Sequence, residues 1–241
     1  MLTNSIFNFG IEEKLKKILY IILISCFSIT IFSCAKKDST SSTTSSPLYV
    51  SVGVNGTILT SSDGTTWTSR TSGASNRLFG VTYANSTFVV SGTNGTILTS
   101  SDGTTWTSRT SGISEGLYGV TYGNGTFMIV GDSGTIITSS DGTTWTSRTS
   151  GTTNVLWGVT YGNNTFVVVG PSGSIYTSSD GTSLTSRTSG ITNDLWGITY
   201  GNSIFVTVSY GGDILTSSDG ISWTSRTSGT TNALYDVTYK E

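Results

Sequence analysis

The chain has 241 residues, a formal net charge of −2, and few charged side chains for its length. Acidic residues outnumber basic ones, which excludes the basic footprint of a nucleic-acid binder. There is no histidine, so the commonest general base and the commonest metal ligand are both missing. The sequence calls for no cofactor and no metal.

The first 46 residues read as an address and a tether. Lys14, Lys16 and Lys17 form a basic stretch ahead of an uncharged, mostly apolar run from Ile18 to Ser33. That run is short for a membrane span, which needs about 20 residues, and suits the core of a signal peptide over 1–33. The residues Ile31-Phe32-Ser33-Cys34 resemble a bacterial lipobox, in which the cysteine becomes the lipidated N-terminus. Leu23-Ile24-Ser25-Cys26 resembles one too, and a short uncleaved anchor is the other reading. Cys34 is preferred because the polar segment begins directly after it. Residues 34–46 are rich in Lys, Ser and Thr, the composition of a disordered tether. A lipid anchor of this kind holds a domain at a membrane surface, periplasmic or cell-surface facing, with no lipid contact from the domain itself.

From Pro47 onward one phrase returns every 39 residues. Ser-Ser-Asp-Gly-Thr-Thr-Trp begins at Ser61, Ser100 and Ser139, and varies slightly at Ser178 and Ser217. A repeat of about 40 residues made of short strands signals a β-propeller or solenoid. Within one repeat, Leu117–Tyr122, Thr126–Val130, Thr135–Ser139 and Thr144–Thr149 alternate with turn residues such as Asn124-Gly125 and Asp141-Gly142. These are taken as strands a to d. The fold expected over 47–241 is therefore an all-β, five-bladed β-propeller with four antiparallel strands per blade. Leu48 aligns with a strand b, and Leu234–Tyr239 reads as a strand a. Pairing the C-terminal strand with the N-terminal blade is expected to close the ring and hide its edges.

The repeated phrase resembles the Asp-box, or BNR repeat, of sialidase-like propellers and of propeller-shaped photosystem assembly factors. The residues that carry the resemblance are Asp63 with Trp67, Asp102 with Trp106, Asp141 with Trp145, Asp180, and Asp219 with Trp223; Leu184 replaces the fourth Trp. Gly follows Asp directly here, so the loop is one residue shorter than the family pattern. The motif implies a fold element and no chemistry of its own: Asp bonds turn backbone, Gly accepts positive φ and Trp packs between blades.

Arg70, Arg109, Arg148, Arg187 and Arg226 fall at one position of the outermost strand, so symmetry spreads them around the rim. A sialidase-like arginine triad would need convergence. With Glu115 as the lone interior glutamate, no catalytic residue is assigned. The copies differ most in the b–c turns and d–a connections, which share one face. There stand Arg77, Glu115, Asp194 and Tyr210, beside aromatics that start strand a: Phe79, Tyr118, Trp157, Trp196 and Tyr235. Loops on a rigid scaffold are where binding residues gather. These nine form the candidate ligand site of a non-catalytic binding protein. The expected ligand is a protein partner or, alternatively, a surface glycan held by a multivalent lectin of the five-bladed tachylectin type. A glycoside hydrolase ranks third.

Overall fold

A computed structural model describes residues 48–240. The signal segment, the tether and both candidate lipidation cysteines, Cys34 and Cys26, lie outside the described residues.

Alternating apolar residues and tight turns fold the repeats into five antiparallel sheets. Blade 1 holds β1 (Tyr49–Val52), β2 (Ile58–Ser61) and β3 (Thr68–Arg70). Blade 2 holds β4 (Leu78–Ala84), β5 (Thr87–Gly92), β6 (Ile97–Ser100) and β7 (Thr107–Arg109). Blade 3 holds β8 (Leu117–Gly123), β9 (Thr126–Gly131), β10 (Ile136–Ser139) and β11 (Thr146–Arg148). Blade 4 holds β12 (Gly158–Gly162), β13 (Thr165–Val169), β14 (Ile175–Ser178) and β15 (Thr185–Arg187). Blade 5 holds β16 (Leu195–Gly201), β17 (Ile204–Ser209), β18 (Ile214–Ser217) and β19 (Thr224–Arg226). Strand a of each blade packs beside strand a of the next, β4 against β8, β8 against β12 and β12 against β16. Strand d is three residues long, Thr146–Arg148 in blade 3 against the expected Thr144–Thr149, and the amides of Thr143 and Thr144 are drawn into the c–d loop.

The core lies between blades. Met128, Ile136, Leu156, Phe166 and Val168 are fully buried where blade 3 meets blade 4. Val167, Val169, Ile175, Leu195 and Phe205 repeat that layer one blade on. Strand b carries apolar residues on both faces because each face meets a neighbouring blade. Trp106, Trp145 and Trp223 flank three of these layers, and Leu184 takes the place of Trp in the fourth.

The c–d loop is a closed hydrogen-bond unit. In blade 3 the Ser139 hydroxyl donates to Asp141 Oδ1 (2.9 Å) and accepts from Gly142 N (2.8 Å). The same carboxylate oxygen accepts from Thr143 N and Thr144 N at 2.8 and 2.9 Å, and Trp145 Nε1 donates to Gly142 O at 3.1 Å. Gly142 sits at φ +74°, which Gly adopts without strain. Backbone N–H donors hold the carboxyls of Asp63, Asp102 and Asp219 below their usual range, and threonine hydroxyls lead the same effect at Asp141 and Asp180. A carboxyl depressed in the folded state stabilises the fold above its unfolded value near 3.9 and loses that contribution as pH falls toward the folded value. Urea midpoints are therefore expected to hold between pH 7 and about 5 and then decline steadily. Asp102→Asn should flatten that decline; an unchanged slope would refute the assignment.

No strand pair joins the two ends among the described residues. Leu234–Lys240 forms no strand, and the sheet β1–β2–β3 keeps three strands, so the ring-closing pair expected from the sequence is not formed. The segment is nevertheless docked on blade 5 as each strand a docks on the blade before it. Leu234 N donates to Ser209 O at 3.0 Å, as Leu156 N does to Gly131 O and Leu195 N to Gly170 O. Gly201 lies against the Tyr239 ring as Gly162 lies against Tyr200. β1 and Leu234–Lys240 are thus two edges left unpaired among the described residues.

Candidate binding face

The b–c turns and d–a connections form one surface because the backbone ties them together. Thr93 N donates to Arg77 O, Asp132 N to Gly116 O and Tyr210 N to Asp194 O, each at 2.9 Å. Gly56 N and Gly95 N bond Asn76 O and Glu115 O at 2.7 Å. Asn side chains add a second layer: Asn76 Nδ2 donates to Thr96 Oγ1 and Asn193 Nδ2 to Asp213 Oδ2. The loops that carry sequence variation thus stand on a fixed base, which favours preorganised recognition.

Phe79, Tyr118 and Trp196 stand near the start of β4, β8 and β16, Trp157 directly precedes β12, and Tyr235 lies in the docked Leu234–Lys240 segment. Phe79 meets Tyr118 edge-on at 4.9 Å, and the Arg77 guanidinium lies 6.0 Å above the Phe79 ring. Trp157 and Trp196 stack in parallel at 4.5 Å, Tyr235 meets Trp196 edge-on at 6.0 Å, and Tyr210 meets Tyr235 at 6.5 Å. Such arrangements follow the quadrupole preference of aromatic pairs. Tyr210 and Tyr235 are 58% and 62% exposed, so this end of the row offers its rings to a ligand. Trp196 Nε1 is buried without a hydrogen-bond partner among the described residues.

The nine candidate residues do not all converge. Arg77, Phe79 and Tyr118 form one cluster, and Trp157, Trp196, Tyr210 and Tyr235 another. Glu115 turns back on its own connection and accepts from Ser114 N and Oγ; its own backbone N–H, followed by the Ser114 hydroxyl and N–H, lowers its carboxyl. Asp194 accepts from Ser172 N at 2.9 Å and braces the blade 4 turn. Both carboxylates support loops and leave the aromatic surface to others. Asp132 joins the site in their place: the Tyr118 hydroxyl donates to it at 2.9 Å, and burial followed by this carboxylate raises the phenol above its ordinary value. Its place in the variable b–c series, between Thr93 and Pro171, was the available signal.

Each repeated Arg donates Nε to a strand c threonine of its own blade at 2.8 Å, from Arg70–Thr60 to Arg226–Thr216. One arginine per blade, held in this way, gives no triad. Beside Arg148 and beside Arg226 the structure has equivalent shallow, open polar clefts. The first is lined by Ser147–Thr153 with the Ser133–Thr135 turn, the second by Arg226–Asn232 with Gly211–Asp213. Among the described residues no three acidic or sulfur ligands gather to hold a metal ion.

No family model matches the chain, and no curated protein matches it. Solved structures do. The chain is similar to "YCF48 bound to D1 peptide" (TM-score 0.58, 19% identity, covering 73% of this chain and 61% of that one). It is similar to YCF48 from Cyanidioschyzon merolae (TM-score 0.53, 18% identity, 67% and 59% covered). It is also similar to the computationally designed Ika8 protein (TM-score 0.64, 14% identity, 80% and 63% covered). The chain spans about three fifths of the length of these structures. At such identities the likeness speaks to architecture alone, and the blades of residues 48–240 have the architecture of a β-propeller.

Proposed function

We propose that this protein is a non-catalytic binding scaffold that offers its b–c and d–a face to a protein partner. The aromatic row carries this reading, above all the exposed Tyr210–Tyr235 pair beside the Trp157–Trp196 stack. Aromatic rings on a rigid base supply contact area at low entropic cost, and such residues dominate interface energetics. The similar YCF48 structure is described as bound to a peptide, which supports an extended protein segment as ligand. In this reading Cys34 is lipidated, and residues 34–46 tether the propeller to a bacterial membrane. Leu234–Tyr239 serves as the strand a that blade 1 lacks.

A photo-crosslinking residue at position 210 is expected to capture a defined protein on intact cells, and one at Thr104 on the opposite face is not. Combining Tyr210→Ala with Tyr235→Ala should reduce capture about tenfold or more, the range expected for a hot-spot pair. Equal capture from both faces would exclude the reading.

The equivalent clefts beside Arg148 and Arg226 favour a second reading, a lectin with one sugar site per blade. A glycan array probed with the protein tests it. Saturable binding that survives the Tyr210→Ala, Tyr235→Ala pair would place the ligand in the clefts.

A further inference from the structure

We propose that Asn124, at the tip of the β8–β9 hairpin, is a site of spontaneous covalent modification. The backbone nitrogen of Gly125 displaces the Asn124 side-chain amide, and the turn becomes an aspartyl or isoaspartyl linkage. The reaction consumes water alone. It lies past the end of β8, whereas Tyr118 of the aromatic row stands near that strand's start.

The tripeptide Asn-Gly-Thr occurs three times, starting at Asn55, Asn94 and Asn124. Asn-Gly suits this chemistry because glycine has no Cβ to hinder the approach of its nitrogen. All three pairs share one backbone conformation, with Asn at φ +55°, +55° and +48° and Gly at +66°, +64° and +73°. Sequence and conformation therefore predict equal reactivity, and the surroundings decide. Gly56 N donates to Asn76 O and Gly95 N to Glu115 O, each at 2.7 Å. Both glycines are buried, and a Cβ placed on either would overlap a carbonyl oxygen, that of Ala74 or of Ile113. The nitrogen that must attack is already a donor there and has no room to turn. Asn94 Nδ2 is also tied to Asn76 Oδ1 at 3.3 Å. None of these restraints holds at the third pair. Asn124 and Gly125 are exposed, and nothing stands within 4 Å of a Cβ placed on Gly125. Among the described residues neither Gly125 N nor the Asn124 amide has a hydrogen-bond partner. The same turn in blades 2, 4 and 5 reads Asn85-Ser86, Asn163-Asn164 and Asn202-Ser203, so a side chain shields the nitrogen. Asn163 Nδ2 is held in addition by Ser218 O at 3.2 Å.

In the step itself Gly125 N gives its proton to solvent base and bonds Asn124 Cγ. The side-chain nitrogen leaves as ammonia, and a five-membered imide remains. Water then opens the ring. Attack at the former side-chain carbonyl leaves an aspartate at position 124. Attack at the main-chain carbonyl routes the backbone through the side chain and adds a methylene to the loop. Either product adds a negative charge to a chain whose net charge is −2. The two products differ in what they do to the hairpin, whose register the turn sets. Gly123 faces Thr126 and Tyr122 faces Phe127 across β8 and β9, and Phe127, Met128, Ile129 and Val130 are all fully buried. Aspartate keeps the turn, since Asp-Gly takes the same backbone as Asn-Gly. The isoaspartyl loop is too long for a two-residue connection, and it loosens blade 3 from the tip inward.

The test incubates the full chain at mildly alkaline pH and follows all three asparagines in one sample by peptide mapping. Electron-transfer fragmentation tells the aspartyl from the isoaspartyl product. Position 124 is expected to convert at least about tenfold faster than 55 and 94, which must first break a backbone hydrogen bond. In urea the three rates should become equal, because the tripeptides are identical. Equal rates in the folded chain, or a rate at 124 that urea raises as much as the other two, would overturn the proposal. Asn124→Asp is expected to keep the thermal midpoint of the unmodified chain, while the isoaspartyl fraction of the aged protein melts lower. Matching midpoints for all three would refute the effect on the hairpin.

Discussion

Phe166→Ala is expected to lower the stability of the blade domain by about 3–5 kcal/mol, through lost transfer energy and the cavity left behind. Phe166 is fully buried between blades 3 and 4, against Tyr161 at 4.7 Å and the cluster of Met128, Leu156 and Val168. In a domain of this size each kcal/mol moves the melting temperature by roughly 2–4 °C, so a fall on the order of 10 °C should appear in calorimetry. The contrast is Tyr49, which holds the equivalent position of blade 1 and is more than half exposed. In dilute solution Tyr49→Ala should change stability by no more than about 0.5 kcal/mol. Equal losses at the two positions would mean that blade 1 is covered and that the open ends are wrong.

Gly95→Ala is expected to cost at least about 3 kcal/mol, while Gly112→Ala costs about 1–2 kcal/mol. Both glycines have positive φ, +64° and +72°. A Cβ on Gly112 meets open space, so only the backbone conformation is penalised. A Cβ on Gly95 would overlap the Ile113 carbonyl oxygen and stand 2.7 Å from Ser111 Oγ. The substitution would also push apart the b–c turn and the d–a connection where Gly95 N bonds Glu115 O. Chemical denaturation of the pair separates conformational strain from close approach. Similar losses for both would show that the turn yields without disturbing the connection.

Much of this architecture is legible in the sequence because each rule is stated five times. Asn124-Gly125 marks the a–b hairpin and Asp141-Gly142 the c–d loop. The observed strands b and c of blade 3 differ from the sequence-based bounds by one residue. The common face of the variable residues is legible too, since the b–c turns and d–a connections that carry them are bonded to one another. Strand d is overread because the pattern does not reveal that Asp141 captures the amides of Thr143 and Thr144. Glu115 and Asp194 are read as ligand-facing, but a carboxylate beside free loop amides bonds them first. Ring closure lies beyond composition and period altogether. The repeat length fixes what a blade is, whereas contacts between blades, such as Tyr161 on Gly123 and Tyr200 on Gly162, are not written in the period.

The graded burial along the blade row has a consequence for hydrogen exchange. Among the described residues blade 3 is flanked on both sides and blades 1 and 5 on one side each, and near-identical units coupled only to neighbours behave as a one-dimensional cooperative array. Opening should therefore begin at the ends and move inward. Amides of β9 and β10 would exchange only on global unfolding, while those of β1 and β18 exchange through fraying of a single terminal unit.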